Sequence, residues 1–162
     1  MAVLERMVTV SRATPGLSLE AVFAIIRTAH ARNSLAGLTG ALLYLDGSFI
    51  HVLEGLPVPL AEARGRIAGD SRHGSVQLRA RERVLCRLFP DQPLALRTRV
   101  DPQVLGRHGY VPGVPASLFP TDELLELVLA AFRGGHRTAT VSAAVPAAGL
   151  RPVRSEGYRA FS

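Results

Sequence analysis

The sequence is 162 residues long, with 48% hydrophobic residues, 20% charged residues and a formal charge of +6. This balance is typical of a globular chain and excludes an intrinsically disordered one; no apolar run approaches the roughly 20 residues of a membrane-spanning helix. A single cysteine, Cys86, excludes an intramolecular disulfide and a paired-thiol metal site. Residues 1–12 lack the order of a secretory signal, so we expect a cytoplasmic protein without membrane association.

The positive charge is carried by arginine alone, because the chain has no lysine. The arginines are spread along the whole sequence, and aromatic residues, at 6%, form no strip interleaved with them. Nucleic-acid recognition usually concentrates basic residues on one surface. We therefore expect no nucleic-acid partner.

The first half of the chain predicts a strand, a helix and a hairpin. Residues 3–10 are rich in apolar residues and are followed by a Pro15-Gly16 break, which indicates a buried strand. Residues 17–33 repeat apolar positions at steps of three and four, as an amphipathic helix does. Asp46-Gly47 separates two apolar runs at 38–45 and 48–54, and this dipeptide is a strong hairpin signal because both residues tolerate positive φ.

The second half predicts two further helices and two strands. The helices cover residues 57–69 and 121–133, each followed by or ending in glycine, and the strands cover 76–84 and approximately 94–100. Residues 136–162 are rich in Ala, Pro, Val and Arg without periodicity, which favours a flexible or extended arm.

Together these elements predict an α/β (α+β) chain with a ferredoxin-like βαββαββ sheet, two helices on one face and a C-terminal helical extension. The extension, or a partner, is expected to cover the other face. We divide the chain into a domain at 1–100, a helical extension at 101–135 and a tail at 136–162.

Several motifs occur together in one order. Residues 39–55 read TGALLYLDGSFIHVLEG; they are preceded by Ala31-Arg32-Asn33 and followed by Gly69-Asp70-Ser71-Arg72-His73. Val10-Ser11-Arg12-Ala13 and Arg87-Leu88-Phe89-Pro90-Asp91 lie at either end. In these motifs the chain resembles the BLUF family of flavin-based blue-light sensors over most of residues 3–97.

The resemblance implies that FAD is held between the two main helices and that the protein signals by contacting a protein partner or further copies of itself, without being an enzyme. Asn33 matches the asparagine on the flavin carbonyl edge, a role suited to an amide that both donates and accepts hydrogen bonds. The other positions implied to contact the cofactor are Ser11, Ile25, Arg32, His51, Arg66, Ile67, Asp70, Arg72 and His73.

Two side chains of the family's light-driven hydrogen-bond switch are replaced. His51 stands at the glutamine position, and Ser11 or Thr9, depending on the alignment of the first loop, stands at the tyrosine position. The expected tryptophan or methionine near the last strand is also missing, with Gln92 and Leu94 there instead. Because a hydroxyl lacks a phenol's redox chemistry and an imidazole cannot rotate like an amide, we expect the usual photocycle to be absent.

The residues alone leave other interpretations open. Asn33 also suits a helix C-cap, His51 a satisfied core histidine or a haem or metal ligand, and residues 70–73 a solvated turn. The five histidines lack close ligand spacing, and no nucleophile or phosphate-binding motif occurs, which disfavours metal binding and catalysis. A flavin-free scaffold with the same fold is the second functional hypothesis.

Overall fold

The computed structural model describes residues 2–133, so the predicted tail lies outside the described residues. Five strands and four α-helices are present in that part: β1 (Leu4–Ala13), α1 (Leu19–Leu35), β2 (Thr39–Leu45), β3 (Ser48–Gly55), α2 (Pro57–Gly69), β4 (His73–Val84), β5 (Ala95–Arg97), α3 (Pro102–Arg107) and α4 (Thr121–Arg133).

The strands form one sheet in the order β4-β1-β3-β2-β5. The four long strands pair antiparallel, whereas the short β5 pairs parallel to β2. The predicted ferredoxin-like α+β fold is confirmed.

Side chains that alternate along the strands divide the core into two layers. On one face, which we call the cleft face, Met7, Phe49 and Leu53 pack in one apolar cluster with Val22 and Ile26 of α1 and with residues of α2. On the other, the α4 face, residues such as Val8, Leu43, Ile50 and Val52 pack against Leu124, Leu127 and Val128 of α4. The C-terminal helix therefore covers the second face, as expected.

The β2–β3 hairpin turns through Asp46 and Gly47, whose φ values are 49° and 75°. Both angles lie in the left-handed region that a tight two-residue turn requires. The Asp46 carboxylate accepts a hydrogen bond from the Gly113 amide at 3.0 Å, and the buried Ser48 hydroxyl accepts one from the Ala116 amide at 3.2 Å. The hairpin thus holds the segment that leads into α4.

A buried carboxylate fastens the segment between β4 and β5 to the sheet. Glu54, at the end of β3, has no exposed surface and accepts hydrogen bonds from Arg6 at 2.8 Å, the Leu88 amide at 2.9 Å and the Phe89 amide at 3.0 Å. Phe89 then contacts Phe132 of α4 edge to face, with ring centroids 5.9 Å apart. The end of β3 is therefore connected to the end of α4.

Some predicted bounds need correction. β1 continues beyond the predicted end at residue 10, through Arg12 and Ala13, because these residues pair with β4. β4 accordingly begins at His73 and not at residue 76. β5 keeps three of the seven predicted residues, because only Ala95–Arg97 pair with β2. α3 was not predicted; Asp101 caps it by accepting a hydrogen bond from the Gln103 amide at 2.7 Å. The division of the chain near residue 100 stays a prediction.

Within the described residues, no helix is long and apolar enough to cross a membrane.

Candidate functional site

A cleft of about 510 Å³, measured out to its open mouth, lies on the cleft face. Its walls come from α1 and α2, its floor from β3, and one end from the turn that precedes β4. The lining residues are Ile25, Thr28, Ala29, Arg32, Asn33, His51, Leu53, Ala63, Arg66, Ile67, Asp70, Arg72 and His73.

The structure brings nine of the ten sequence-predicted site residues together in this cleft. The tenth, Ser11, does not line it but contacts a residue that does: its hydroxyl lies 2.8 Å from Nδ1 of His73. Thr9, the alternative to Ser11 in the alignment, is buried and lies directly opposite His51 in the β1–β3 register. Both hydroxyl residues therefore face the helices, and neither lines the cleft.

His51 forms part of the cleft floor and is 8% exposed. Its Nε2 atom is buried and has no hydrogen-bond partner among the described residues. Burial, and secondly the nearby charge of His73, lower the pKa of His51 to about 3. The side chain is therefore a neutral imidazole near pH 7. The interpretation of His51 as a satisfied core histidine is wrong, because its Nε2 atom has no hydrogen-bond partner among the described residues.

His73 is held in place from two sides. Besides the Ser11 hydroxyl, its ring contacts the Phe49 ring, with centroids 4.4 Å apart, and Phe49 in turn contacts Tyr44 at 4.8 Å. Burial lowers the pKa of His73, Asp70 opposes that effect, and Arg72 adds to it. An aromatic row thus runs from the cleft to β2.

Asp70 and Arg72 satisfy each other in the turn before β4. The Asp70 carboxylate accepts hydrogen bonds from Nε of Arg72 at 2.9 Å, from its Nη2 at 2.7 Å and from its backbone amide at 3.0 Å. The Arg72 side-chain hydrogen bond lowers the pKa of Asp70 to about 2, and Asp70 raises the pKa of Arg72. This pair rigidifies the end of the cleft. Nη1 of Arg72 has no hydrogen-bond partner among residues 2–133.

Asn33 lies within α1, two residues before its last residue, and is almost fully buried. Its Nδ2 atom donates a hydrogen bond to the carbonyl oxygen of Pro93 at 3.0 Å. The C-cap of α1 is Ala36, so the interpretation of Asn33 as the helix cap is wrong. Asn33 instead connects the cleft to the residues before β5.

Sequence reasoning missed four lining residues, namely Thr28, Ala29, Leu53 and Ala63. Three of them follow from helical spacing: Thr28 and Ala29 lie three and four residues after Ile25, and Ala63 lies three residues before Arg66. Leu53 lies two residues after His51 and so shares its face of the strand. The Thr28 hydroxyl donates to the Ala24 carbonyl at 3.2 Å, within its own helix.

The cleft combines an apolar interior with a basic rim. Ile25, Leu53 and Ala63 are buried or lie at the base of the walls, whereas Arg32 and Arg66 are exposed at the mouth. A model of the BLUF family, described as sensors of blue-light using FAD, matches residues 4–95, more than half of the chain. The chain belongs to the BLUF family.

Curated relatives of this BLUF domain are much longer proteins. The photoactivated adenylate cyclase subunit beta of Euglena longa is 37% identical over 73 residues, which cover 45% of this chain and 8% of the relative. The photoactivated adenylate cyclase subunit beta-like protein FB of Euglena gracilis is 36% identical over 73 residues, which again cover 45% of this chain and 8% of the relative. The matched stretch is therefore less than a tenth of either relative.

Solved structures repeat this picture. A bacterial light-regulated adenylyl cyclase superposes with a TM-score of 0.61 at 26% identity, covering 64% of this chain and 32% of that one. Klebsiella pneumoniae BlrP1, solved with FMN and cyclic diGMP, gives a TM-score of 0.57 at 25% identity over 79% of this chain and 30% of that one. BlrB, a BLUF protein in its dark state, gives 0.68 at 23% identity, with 83% and 98% covered, which supports the fold alone.

The residues of the cleft fit the flavin that the family's description names. A planar ring needs apolar walls and a few convergent polar groups, and a phosphate tail needs cations; the interior, the unpartnered Nε2 of His51 and the arginines at the mouth supply these features. Within residues 2–133, no group of three or more His, Cys, Asp or Glu side chains is placed so that it could hold a metal ion.

Proposed function

We propose that this chain is a flavin-binding sensory or regulatory module of the blue-light receptor type, with FAD in the cleft between α1 and α2. The unpartnered Nε2 of His51 carries this proposal, because a buried polar atom without a partner is costly unless a ligand completes its hydrogen bonding. When bound, flavin supplies blue-light absorption and electron-transfer chemistry. The protein's own residues bind it, orient it and exclude water.

The roles of the cleft residues follow from their positions. Ile25 and Ile67, one on each helix, are proposed to contact the faces of the ring. Asn33, Arg32 and His51 offer hydrogen bonds to its polar edges. The outer residues Arg66, Asp70, Arg72 and His73 are proposed to contact the ribityl and phosphate part, with Ser11 acting through His73.

We also propose that the usual photocycle is lost or altered. β1 contains no tyrosine and β3 contains no glutamine. The Ser11 hydroxyl is already bonded to His73, and Thr9 carries no group that can be oxidised by an excited ring. Illumination of the FAD-loaded protein is therefore expected to give no small reversible red shift of the flavin absorption band.

The light response has its own experiment. Absorption spectra are recorded before, during and after blue illumination of the FAD-loaded protein and of a Tyr44→Phe variant. No reversible shift in either protein is the expected result. A reversible shift in the unmodified protein contradicts the proposed loss, and its disappearance in Tyr44→Phe would identify the aromatic row Tyr44, Phe49 and His73 as a substitute route.

The output of the module is proposed to be protein contact, with another protein or with further copies of the chain, and without enzymatic activity of its own. Two sets of contacts support this proposal: Asn33 joins the cleft to the residues before β5, and Glu54 and Phe89 join the end of β3 to α4. The relatives also support it, since there a stretch of this kind is a small part of a cyclase subunit. Binding of nucleic acid or membranes is not part of the proposal.

A flavin-free scaffold is the second candidate. It is favoured because several polar groups of the cleft already have partners inside the protein, among them Asn33 with Pro93, Arg72 with Asp70 and His73 with Ser11. A flavin that uses the same atoms would have to displace or share these hydrogen bonds. The two candidates differ in FAD binding, which is directly measurable.

FAD uptake by the purified protein decides between them. We expect an oxidised-flavin spectrum, present as purified or appearing on titration with FAD. Ile67→Trp, at the cleft wall, should weaken FAD binding at least about tenfold because the larger ring occupies the flavin's space. Ala68→Trp, at the next position of α2 but exposed and outside the cleft lining, is the matched control and should bind normally.

The outcomes separate the candidates. Absence of FAD uptake by the unmodified protein overturns the flavin proposal and favours the scaffold. Equal FAD affinity of all three proteins would show that flavin binds elsewhere than in the cleft.

A further inference from the structure

In the part of the chain that the structure describes, no counter-ion faces the imidazole of His51. From β1 and β2 it meets Thr9 and Leu42, which are uncharged. The charged groups around the cleft are Arg32 on α1, Arg66 on α2, and Asp70, Arg72 and His73 at its end.

These charges do not cancel. Asp70 is the one carboxylate among the lining residues, and it is bound to Arg72. The two rim arginines have no carboxylate partner within salt-bridge distance among the described residues, and a proton on His73 would add further positive charge. The cleft thus has an excess of positive charge around a buried imidazole.

A ligand that brings negative charge against Nε2 supplies the missing partner. A unit negative charge about 4 Å from the ring, at an effective dielectric constant of about 20, raises its proton affinity by about a thousandfold. Such a charge opposes burial and His73, which lower the pKa of His51, and it raises that pKa back toward the ordinary range of an imidazole. The ring then takes up a proton in a less acidic solution.

We propose that His51 takes up a proton when a flavin ring bound in the cleft becomes anionic, so that the site distinguishes reduced from oxidised flavin. This inference rests on the proposed flavin binding. Reduction delivers two electrons and one proton to the ring, which becomes a monoanion, and a second proton forms an N–H bond at Nε2 of His51. The electrons come from an external donor of the reduced nicotinamide class, or from dithionite in the laboratory.

The proposed proton uptake depends on the histidine at position 51. An amide, which the family has there, cannot take up a proton near neutral pH, whereas an imidazole can. Replacement of the amide by His51 therefore exchanges a group that reorients for a group that changes charge. The module would respond to the reducing state of its surroundings in place of light.

The test follows the imidazole directly. Protein labelled with ¹⁵N in its histidine rings is titrated by NMR between about pH 4.5 and 8, first with oxidised FAD and then after anaerobic reduction with dithionite. His51→Gln identifies the His51 signals by their loss. The unmodified protein in its two flavin states already makes the comparison, so the result does not depend on how the variant folds.

The expected result is a His51 ring that titrates at a clearly higher pH with reduced FAD than with oxidised FAD, a rise in proton affinity of about a thousandfold. As a second readout, the reduction potential of FAD in the unmodified protein should exceed that in His51→Gln, and by more at about pH 5.5 than at pH 8.

Two results overturn the inference while flavin binding stands: unchanged titration of His51 on reduction, or release of reduced FAD from a protein that retains oxidised FAD. Absence of binding of either form is a separate result, seen in the absorption spectrum before any titration. It overturns the proposed function and this inference with it.

Discussion

Two polar side chains of β3, three residues apart, are buried on opposite faces of the sheet and differ in their hydrogen bonding. Glu54, on the α4 face, is held by a guanidinium and two backbone amides. His51, on the cleft face, leaves Nε2 without a partner among the described residues. Because buried polar groups are normally satisfied, the contrast separates a group that stabilises the fold from one that is available to a ligand.

The largest effect is expected at Glu54. Glu54→Ala removes the buried carboxylate bound to Arg6, whose side chain is 11% exposed, and leaves two partly buried amides, those of Leu88 and Phe89, without their acceptor. The free energy of unfolding should fall by about 3–5 kcal/mol, measured by urea denaturation. Glu82→Ala removes the other carboxylate bound to Arg6. Because the Glu82 side chain is 53% exposed, this variant should change the free energy of unfolding by less than about 1 kcal/mol. Similar values for both variants would contradict the structural role of Glu54.

His51 is expected to make the fold sensitive to acid. Its folded-state pKa of about 3 lies below the unfolded value of about 6.5, so between these values the unfolded chain binds more protons. Stability is therefore greatest above pH 6.5 and falls on acidification, with a slope approaching about 1.4 kcal/mol per pH unit from this residue. His51→Leu should flatten the curve in urea denaturation between about pH 7 and 4. Equal slopes for both proteins would show that His51 does not stay neutral.

At neutral pH the same variant should behave unlike a core truncation. His51→Leu replaces an imidazole that has an unpartnered nitrogen by an apolar side chain, and is expected to stabilise the flavin-free protein by up to about 1 kcal/mol. Leu127→Ala, in the α4 layer, should cost about 2–5 kcal/mol. If His51→Leu were destabilising to a similar extent, Nε2 would have a partner in solution.

The smallest effect is expected at Asp70. Its pKa of about 2 lies below the usual value, so the contribution of the Asp70–Arg72 pair is present above about pH 4 and is lost as the pH falls toward 2. The two side chains are 22% and 42% exposed, which limits the pair to less than about 1 kcal/mol. Asp70→Asn should therefore unfold at nearly the same urea concentration at pH 7. A loss above about 2 kcal/mol would contradict this estimate.

Local patterns predicted the elements that are determined locally. Asp46-Gly47 located the hairpin, and the bounds of α2 and α4 follow from apolar spacing that proline and glycine interrupt. β5 was overestimated, because its length depends on which residues reach β2, and no pattern within 94–100 contains that information.

The candidate site was predicted as a set of residues but not as a network. The motifs of residues 31–33, 51 and 69–73 named six lining residues, and the helix positions Ile25, Arg66 and Ile67 completed the nine. The hydrogen bond from Asn33 to Pro93 joins residues 60 positions apart, and the missing partner of His51 depends on every element around it. The role of Glu54 was likewise invisible, since its amide partners are identified by their place in the fold and not by their side chains.

The hydrogen bonds that the hairpin turn makes to residues 113 and 116 bear on the order in which the chain acquires its structure. A two-residue hairpin forms within about 1–10 μs, far sooner than contacts between distant segments. Asp46 and Ser48 accept hydrogen bonds from the amides of residues 113 and 116. The segment that leads into α4 can therefore bind to the hairpin only after the hairpin has formed, and α4 packs after that segment. We expect the second layer to assemble late in folding and to be the first to separate during unfolding, with the β2–β3 hairpin persisting longest.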